Sequence, residues 1–511
     1  MKTGAEYLES LRDGRVVYCG GERIDDLTTH PATAGYARVI AEYYDLHHDP
    51  RLRDELTFVD EDGERRALHW MIPRDKQDVQ RRRRYHEFWW RHFAGGMFCR
   101  PPASTNCVLF GVVDDPQPWE DNSVGHGGRP LAQHIRDLWA RVRAEDSFLT
   151  PMFVDVQYDR SRPDSVAESP ALEIVDRTEE GIVVHGWKSV GTPPVFGNEV
   201  VFGVFWRPGT TEEQTVYGVI PANTPGLVHV ARPSTAAEGA SSVDRPFAGI
   251  GDELDSMAFF DHVLVPWERV LHVGNPDHAK HFPQRQFDWI HVETQIRQTV
   301  NAELLAGLAL LVTEALGTAA APVVASQLAD LVRFRETCHA LTLAAEETGF
   351  HTEHGMYKPN PLYVNFGRAH YLEKASAMID LLLELCGRGV VLFPTEAELA
   401  DPYLGPRLEE ALRGRDIGAR ERLRIFKVIH ERFLTEWGTR HTMFEKFNGT
   451  PLHVIKMLTM QRADYRPDGP LARLARDVVA GRDPALPTAE AAEGNDGPGA
   501  PGTPGAVERA A

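Results

Sequence analysis

Apolar positions along the chain change their period twice. Up to about residue 150 they recur at helical spacing between loops, and 36–44 and 76–93 each predict a helix. From about 151 to 275 the period falls to two. Leu172-Glu173-Ile174 and Ile182-Val183-Val184 flank Glu179-Glu180-Gly181, a hairpin-like turn, and runs rich in Val and Phe at 199–206, 215–220, 226–232 and 257–265 predict further strands. From about 280 to 465 the helical period returns. Ile296, Val300, Leu304, Leu308, Leu311 and Val312 mark one apolar face that stops at Gly317. Tyr371, Ala375, Met378, Ile379, Leu382 and Leu385 mark a second, stopped by Gly387, and Leu423, Phe426, Ile429, Phe433 and Trp437 mark a third. Long helices without an intervening sheet predict a bundle. The expected domains are therefore helical (1–150), all-β (151–275) and a helical bundle (276–465), followed by a disordered tail (466–511). Residues 484–511 are mostly Ala, Pro, Gly and Glu, too little apolar surface to order themselves.

Charge narrows the function classes. The 511 residues include 55 basic and 74 acidic ones, a net charge of −19, which argues against neutralising nucleic-acid phosphates. The run Arg81-Arg82-Arg83-Arg84 lies inside a predicted helix and is expected to be a solvated face. Cys19, Cys99, Cys107, Cys338 and Cys386 are scattered and form no C-x-x-C pair, as in a reducing compartment. The first residues lack the apolar stretch of a signal peptide, and the apolar run 304–316 is too short to span a bilayer. A cytoplasmic protein with neither nucleic-acid nor membrane partners is expected.

Local motifs exclude several chemistries. Gly249-Ile250-Gly251 lacks the third glycine of a dinucleotide fingerprint, and there is no Walker loop, G-x-S-x-G elbow or H-E-x-x-H pair. Glu336-Thr337-Cys338-His339 has the E-x-x-H spacing of a di-iron bundle. That chemistry needs a second such motif, and Asp288-Trp289-Ile290-His291 is only an approximation to one. His351 and His354 read as surface histidines. No metal site is expected.

The order of elements and a set of ordered motifs carry a resemblance. Thr3-Gly4-Ala5-Glu6-Tyr7-Leu8-Glu9-Ser10-Leu11, Thr29-His30-Pro31 and Tyr44-Asp45-Leu46-His47-His48-Asp49-Pro50 open it. Arg100, Gln157-Tyr158-Asp159-Arg160, the Gly186 and Thr192 ends of a G-x-K-x-x-x-T run, Ile220-Pro221-Ala222-Asn223-Thr224-Pro225-Gly226 and Glu436-Trp437-Gly438-Thr439-Arg440 follow. Phe260-Asp261-His262-Val263-Leu264-Val265-Pro266-Trp267-Glu268-Arg269-Val270 is the most specific piece. Over roughly residues 1–465 the chain resembles the oxygenase component of the 4-hydroxyphenylacetate 3-hydroxylase family. The resemblance implies an α+β, acyl-CoA-dehydrogenase-like fold: an N-terminal helical domain, a middle β-barrel domain and a C-terminal helical bundle.

It also implies a flavin monooxygenase that takes reduced FAD from a separate NAD(P)H:flavin reductase. Such a protein stabilises a C4a-hydroperoxyflavin in a dry site and transfers oxygen to an electron-rich aromatic substrate, small or carrier-bound. Carried over residue by residue, Arg100 and Ser104 are the expected catalytic positions. Arg100, Gln157, Thr192, Thr435, Glu436 and Gly438 are expected at the cofactor, and Ser104 and Pro151 at the substrate. A homotetramer is implied as well.

Within the specific piece, Pro266 and Trp267 are expected to brace a strand end while Glu268 and Arg269 pair locally. The chain departs from the family at two places. Ser104 stands where the family has a tyrosine, and Pro151 where it has a histidine. Those groups steer and deprotonate a phenol, and neither Ser104 nor Pro151 serves as a base at neutral pH. Simple 4-hydroxyphenylacetate is therefore not the expected substrate. A different aromatic, a carrier-bound amino acid and N-oxygenation of an amine stay open. A hydroxyacyl-CoA dehydratase of related fold would need cluster ligands where this chain has Ala103 and Gln298. An acidic helical scaffold would leave the flavin-side matches unexplained.

Overall fold

The computed structural model describes residues 1–94, 100–114, 131–159, 161, 168–204, 206–280, 287–447, 450–463 and 469–481. The chain opens with helix α1 (Gly4–Ser10), started by a reciprocal cap in which the Thr3 hydroxyl accepts from Glu6 N–H and the Glu6 carboxylate accepts from Thr3 N–H. Strands β1 (Val16–Cys19) and β2 (Glu22–Ile24) come next, then helix α2 (Ala34–Leu46), the hairpin β3 (Thr57–Val59) and β4 (Arg65–Ala67), and helix α3 (Lys76–His92). A single turn, α4 (Pro102–Thr105), follows, with Pro102 at its first position where a missing N–H costs nothing.

The middle region supplies β5 (Leu149–Met152), β6 (Glu173–Arg177), β7 (Gly181–Gly191), β8 (Glu199–Phe202), β9 (Val216–Pro221), β10 (Leu227–Ala231), β11 (Ser256–Pro266) and β12 (Val270–Val273). The hairpin expected around Glu179-Glu180-Gly181 is β6–β7, with Arg177 opposite Ile182. These strands build two sheets, in the orders β2-β1-β10-β11-β7-β6 and β12-β9-β8-β5. Ile182, Val184, Phe260, Val263 and Val265 of the first share one buried layer with Met152, Val200, Phe202, Val216 and Ile220 of the second. The two sheets therefore face each other, and the closed barrel expected for this region is not formed among the described residues. The larger sheet also recruits the N-terminal chain, because β1 pairs in parallel with β10.

The bundle consists of α5 (Asp288–Ala315), α6 (Pro322–Glu347), α7 (Pro361–Cys386), α8 (Ala419–Leu434) and α9 (Glu436–Phe447). Leu305, Leu308, Val312, Leu331, Phe334, Leu382, Phe426 and Ile429 form its core, so the three predicted apolar faces meet one another. Helix α3 lies against α5 and α6. No described helix is long and apolar enough to cross a membrane.

Two local expectations are corrected. Of the four consecutive arginines only Arg84 is exposed. Arg82 is buried and donates to the carbonyls of His69 and Met71, both at 2.8 Å, while Arg83 pairs with Glu87 and Glu346. Carbonyls from the preceding loop and carboxylates from its own helix and α6 supply partners that no local charge pattern reveals. Arg269 does not pair with Glu268. It reaches Glu199 at 3.4 Å and the Val219 carbonyl at 3.2 Å, because the strand end turns it back over the smaller sheet. The brace itself forms as expected, with Trp267 Nε1 donating to the Thr178 carbonyl at 3.1 Å. Residues 456–511 form a separate unit. Helix Pro470–Val479 lies within the stretch expected to be disordered, and the expectation for 484–511 falls outside the described residues.

Candidate active site

Four elements converge on one buried polar cluster. Arg100 enters it immediately before α4, Glu253 and Asp255 come from the segment leading into β11, Glu293 and Arg297 from α5, and Arg440, Phe444 and Glu445 from α9. Arg100 is only 7% exposed, and its backbone N–H donates to Glu253 Oε1 at 2.6 Å. Its guanidinium lies 5.0 Å from the Phe444 ring centre. The guanidiniums of Arg297 and Arg440 lie 5.1 Å from the same ring. Three like charges converge on one aromatic side chain because the ring attracts each of them, and Arg297 and Arg440 are each matched by carboxylates.

Those carboxylates are placed by separate elements. Arg297, fully buried, pairs with Glu445 at 2.7 Å and stands 3.7 Å from Glu293, one helical turn before it. Arg440 pairs with Glu253 at 2.8 Å, and its Nε donates to Asp255 at 2.7 Å. Thr192 Oγ1 donates to Asp255 Oδ1 at 2.5 Å, and Arg232 Nε reaches the other oxygen at 3.1 Å. Burial alone would raise the Asp255 carboxyl. Arg440, Thr192 and Arg232 outweigh it and hold the group down at about 2. Arg100 is pushed down to about 10 by burial and by Arg297 beside it, so it stays a cation at neutral pH. Glu293 is shifted the other way: burial raises its carboxyl, opposed by Arg297, Arg100 and the Ser104 hydroxyl.

The start of α9 fixes where Arg440 points. Trp437 is buried, stacks on Phe247 with ring centres 5.3 Å apart and donates its Nε1–H to the Gly251 carbonyl at 3.1 Å. Gly438 is required at the bend from α8, since a Cβ there would come within 2.2 Å of the Glu431 carbonyl oxygen. Thr435 accepts from Gly438 N–H at 3.3 Å while donating to the Glu431 carbonyl at 2.8 Å. His441, one residue beyond Arg440, is buried, and burial holds its imidazole neutral, well below the usual histidine range.

The residues singled out from the sequence fall into two groups. Arg100, Ser104 and Thr192 lie in or against this cluster, and Thr435 and Gly438 start α9, the helix that carries its Arg440. Pro151 is half-buried on β5, opposite Val201, and the α4 turn packs beside that strand. Gln157 and Glu436 are exposed and join no contact within the cluster. Sequence reasoning missed Glu253, Asp255, Glu293, Arg297 and Glu445, and gave Arg440 no role of its own. One local signal was present: Glu293 and Arg297 put charge one turn apart on a helix with apolar faces, which is the mark of a buried pair.

A family model described as 4-hydroxyphenylacetate 3-hydroxylase N terminal matches residues 3–272, and one described as its C terminal matches residues 284–476. The oxygenase component named 4-nitrophenol 4-monooxygenase/4-nitrocatechol 2-monooxygenase from Rhodococcus opacus is 60% identical over 94% of this chain and 92% of that protein. The 2,4,6-trichlorophenol monooxygenase of Cupriavidus pinatubonensis is 46% identical over the same shares. A crystal structure of the oxygenase component of 4-hydroxyphenylacetate 3-monooxygenase complexed with FAD superimposes with a TM-score of 0.86 at 28% identity, over 94% of this chain and 99% of that one. The chain belongs to the 4-hydroxyphenylacetate 3-hydroxylase family.

Proposed function

We propose that this protein is the oxygenase component of a two-component monooxygenase. It takes reduced FAD from a separate NAD(P)H:flavin reductase and hydroxylates a phenol bearing an electron-withdrawing substituent. The observation that carries the reading is Arg100, a buried cation at the entrance to the α4 turn that holds Ser104.

Hydroxylation needs the phenolate, whose ring is the electron-rich partner. Nitro- and polychlorophenols ionise near neutral pH unaided, so they do not need the tyrosine and histidine that Ser104 and Pro151 replace. They do need a fixed cation to hold the anion in a site poor in water, and Arg100 supplies it. The names of the nitrophenol and trichlorophenol relatives support the same substrate class.

The residues present fit a flavin. His441 Nε2 is buried without a hydrogen bond among the described residues, an unused polar atom one residue from Arg440. Arg100, Thr192, Thr435 and Gly438 would hold the cofactor, with Gln157 and Glu436 joining from exposed positions. When bound, reduced FAD supplies the activation of dioxygen. The chain orients the phenolate through Arg100 and excludes water through Phe444, Trp437 and Trp90, whose ring lies 5.3 Å from the Arg297 guanidinium.

The exposed Leu310 and Leu311 of α5, Val332 and Leu343 of α6 and Leu434 of α8 support a homotetramer, which light scattering on the eluted protein would measure. A cytoplasmic location completes the reading. The functional test supplies the protein with reduced FAD, oxygen and 4-nitrophenol. The expected result is consumption of the phenol with formation of 4-nitrocatechol by attack at a ring C–H, or of benzoquinone with release of nitrite by attack at the nitro-bearing carbon. FAD binding without any product from nitro- or chlorophenols would overturn the substrate class.

A further inference from the structure

The specific strand β11 carries an irregularity the oxygenase chemistry does not use. Its pairing with β7 runs Phe260 opposite Gly186 and resumes with Val263 opposite Val184. Two residues, Asp261 and His262, therefore face the single residue His185, which is the arrangement of a β-bulge. His262 takes a left-handed backbone conformation, φ +52°, to make the extra step. Ordinary alternation would send Asp261 and His262 to opposite faces of the sheet. The bulge instead aims both at His185. His262 Nδ1 lies 2.9 Å from Asp261 Oδ1, His185 Nδ1 lies 3.8 Å from the same oxygen, and the two imidazoles are 4.3 Å apart centre to centre.

We propose that His185, Asp261 and His262 form a surface site for a divalent transition-metal ion. One ligand atom from each of the three lies within 4.8 Å of the others. A zinc-like ion with bonds of about 2.0–2.2 Å holds neighbouring ligand atoms about 3.0–3.5 Å apart, so small side-chain rotations bring all three to one ion. The carboxylate side has room for them, since Asp261 and His262 are exposed and His185 is partly so. His185 Nδ1 is itself shielded from solvent and has no hydrogen bond among the described residues, leaving a lone pair or proton that the protein does not otherwise satisfy. Two imidazoles and one carboxylate suit Zn(II), Ni(II), Co(II) or Cu(II) and disfavour Mg(II) and Ca(II), which take oxygen ligands. Solvent completes the coordination, because three protein ligands on an open sheet face leave positions free. Glu173, opposite His185 across β6, adds a carboxylate on the neighbouring strand. No local motif announces the site, since its halves come from strands about 76 residues apart in the chain.

The test uses the untagged full chain freed of metal by chelation and titrated with NiCl2 or ZnCl2 in a calorimeter. Cu(II) paramagnetic resonance on a matched sample counts the nitrogen ligands. Binding of one equivalent, with two-nitrogen coupling on copper, is expected in the native protein. Both signals should vanish in a His185→Ala/His262→Asn variant, in which Asn keeps the left-handed backbone accessible. Metal should also raise the melting temperature of the native protein and not that of the variant. Binding that is equal in the two proteins, or absent from both, overturns the site. Turnover with reduced FAD is measured alongside and is expected to be the same in both, which separates this outcome from any failure of the oxygenase reading.

Discussion

Arg297, fully buried, and Glu445, nearly so, meet at 2.7 Å, a link between α5 and α9 beside the ring of Phe444. A buried ion pair adds little compared with a well-packed apolar pair, yet losing one partner strands the other. Glu445→Ala is expected to destabilise the protein by roughly 3–5 kcal/mol in denaturant unfolding. The double variant Arg297→Met/Glu445→Leu should recover most of that loss. If the single variant unfolds at the native midpoint, the pair is not holding the two helices.

Arg100 behaves differently, because its contact to Glu253 runs through the backbone N–H and survives truncation of the side chain. Burial already disfavours its charge, so removing the guanidinium takes away little folding energy. Arg100→Ala should leave the melting temperature within a few degrees of native. Its product yield per reduced FAD oxidised should fall by an order of magnitude or more, with hydrogen peroxide accounting for the difference. Unchanged yield would remove Arg100 from substrate handling.

The paired carboxyls give opposite pH signatures. Asp255 is held down at about 2 in the folded protein, against about 3.9 for a free side chain. Its contribution is present above the unfolded value and is lost as pH falls through about 2. Asp255→Asn should therefore cost stability at pH 6 and progressively less toward pH 2, measured as a difference in unfolding free energy at each pH. Glu293 is raised, so its contribution is complete below the unfolded value and disappears as pH rises through the folded one. Glu293→Gln should be stabilising near neutrality and neutral in acid. Parallel pH curves for native and variant proteins would contradict both assignments.

At Gly438 the prediction is steric. A methyl group would press on the Glu431 and Arg432 carbonyls at 2.2 and 2.3 Å, both backbone atoms that have nowhere to go. Gly438→Ala should cost about 1–3 kcal/mol and tilt α9, weakening FAD binding by more than the stability loss alone would. Calorimetry with reduced FAD under anaerobic conditions measures it.

Sequence made the strands and long helices legible because each keeps one period over many residues. Arg100, Thr192 and Gly438 were legible through motif likeness. Their partners were not. Glu253 lies 153 residues from Arg100, and Glu445 lies 148 from Arg297, so only the fold brings them together. The buried Arg82 was hidden for a related reason: its acceptors are backbone carbonyls, which leave no trace in side-chain composition. The expected barrel failed on strand pairing, since alternation shows that a strand has an inner face but not where a sheet ends.

Phe444 has a consequence for how a ligand arrives. With three guanidiniums about 5 Å from its ring and two of them, Arg297 and Arg440, tied to carboxylates, the field of the site is set during folding and not by the ligand. Mobile ions cannot enter to screen a field so enclosed, whereas they screen the acidic outer surface readily. Added salt should therefore alter the rate at which an anionic ligand approaches this negatively charged protein while leaving its residence time in the pocket almost constant.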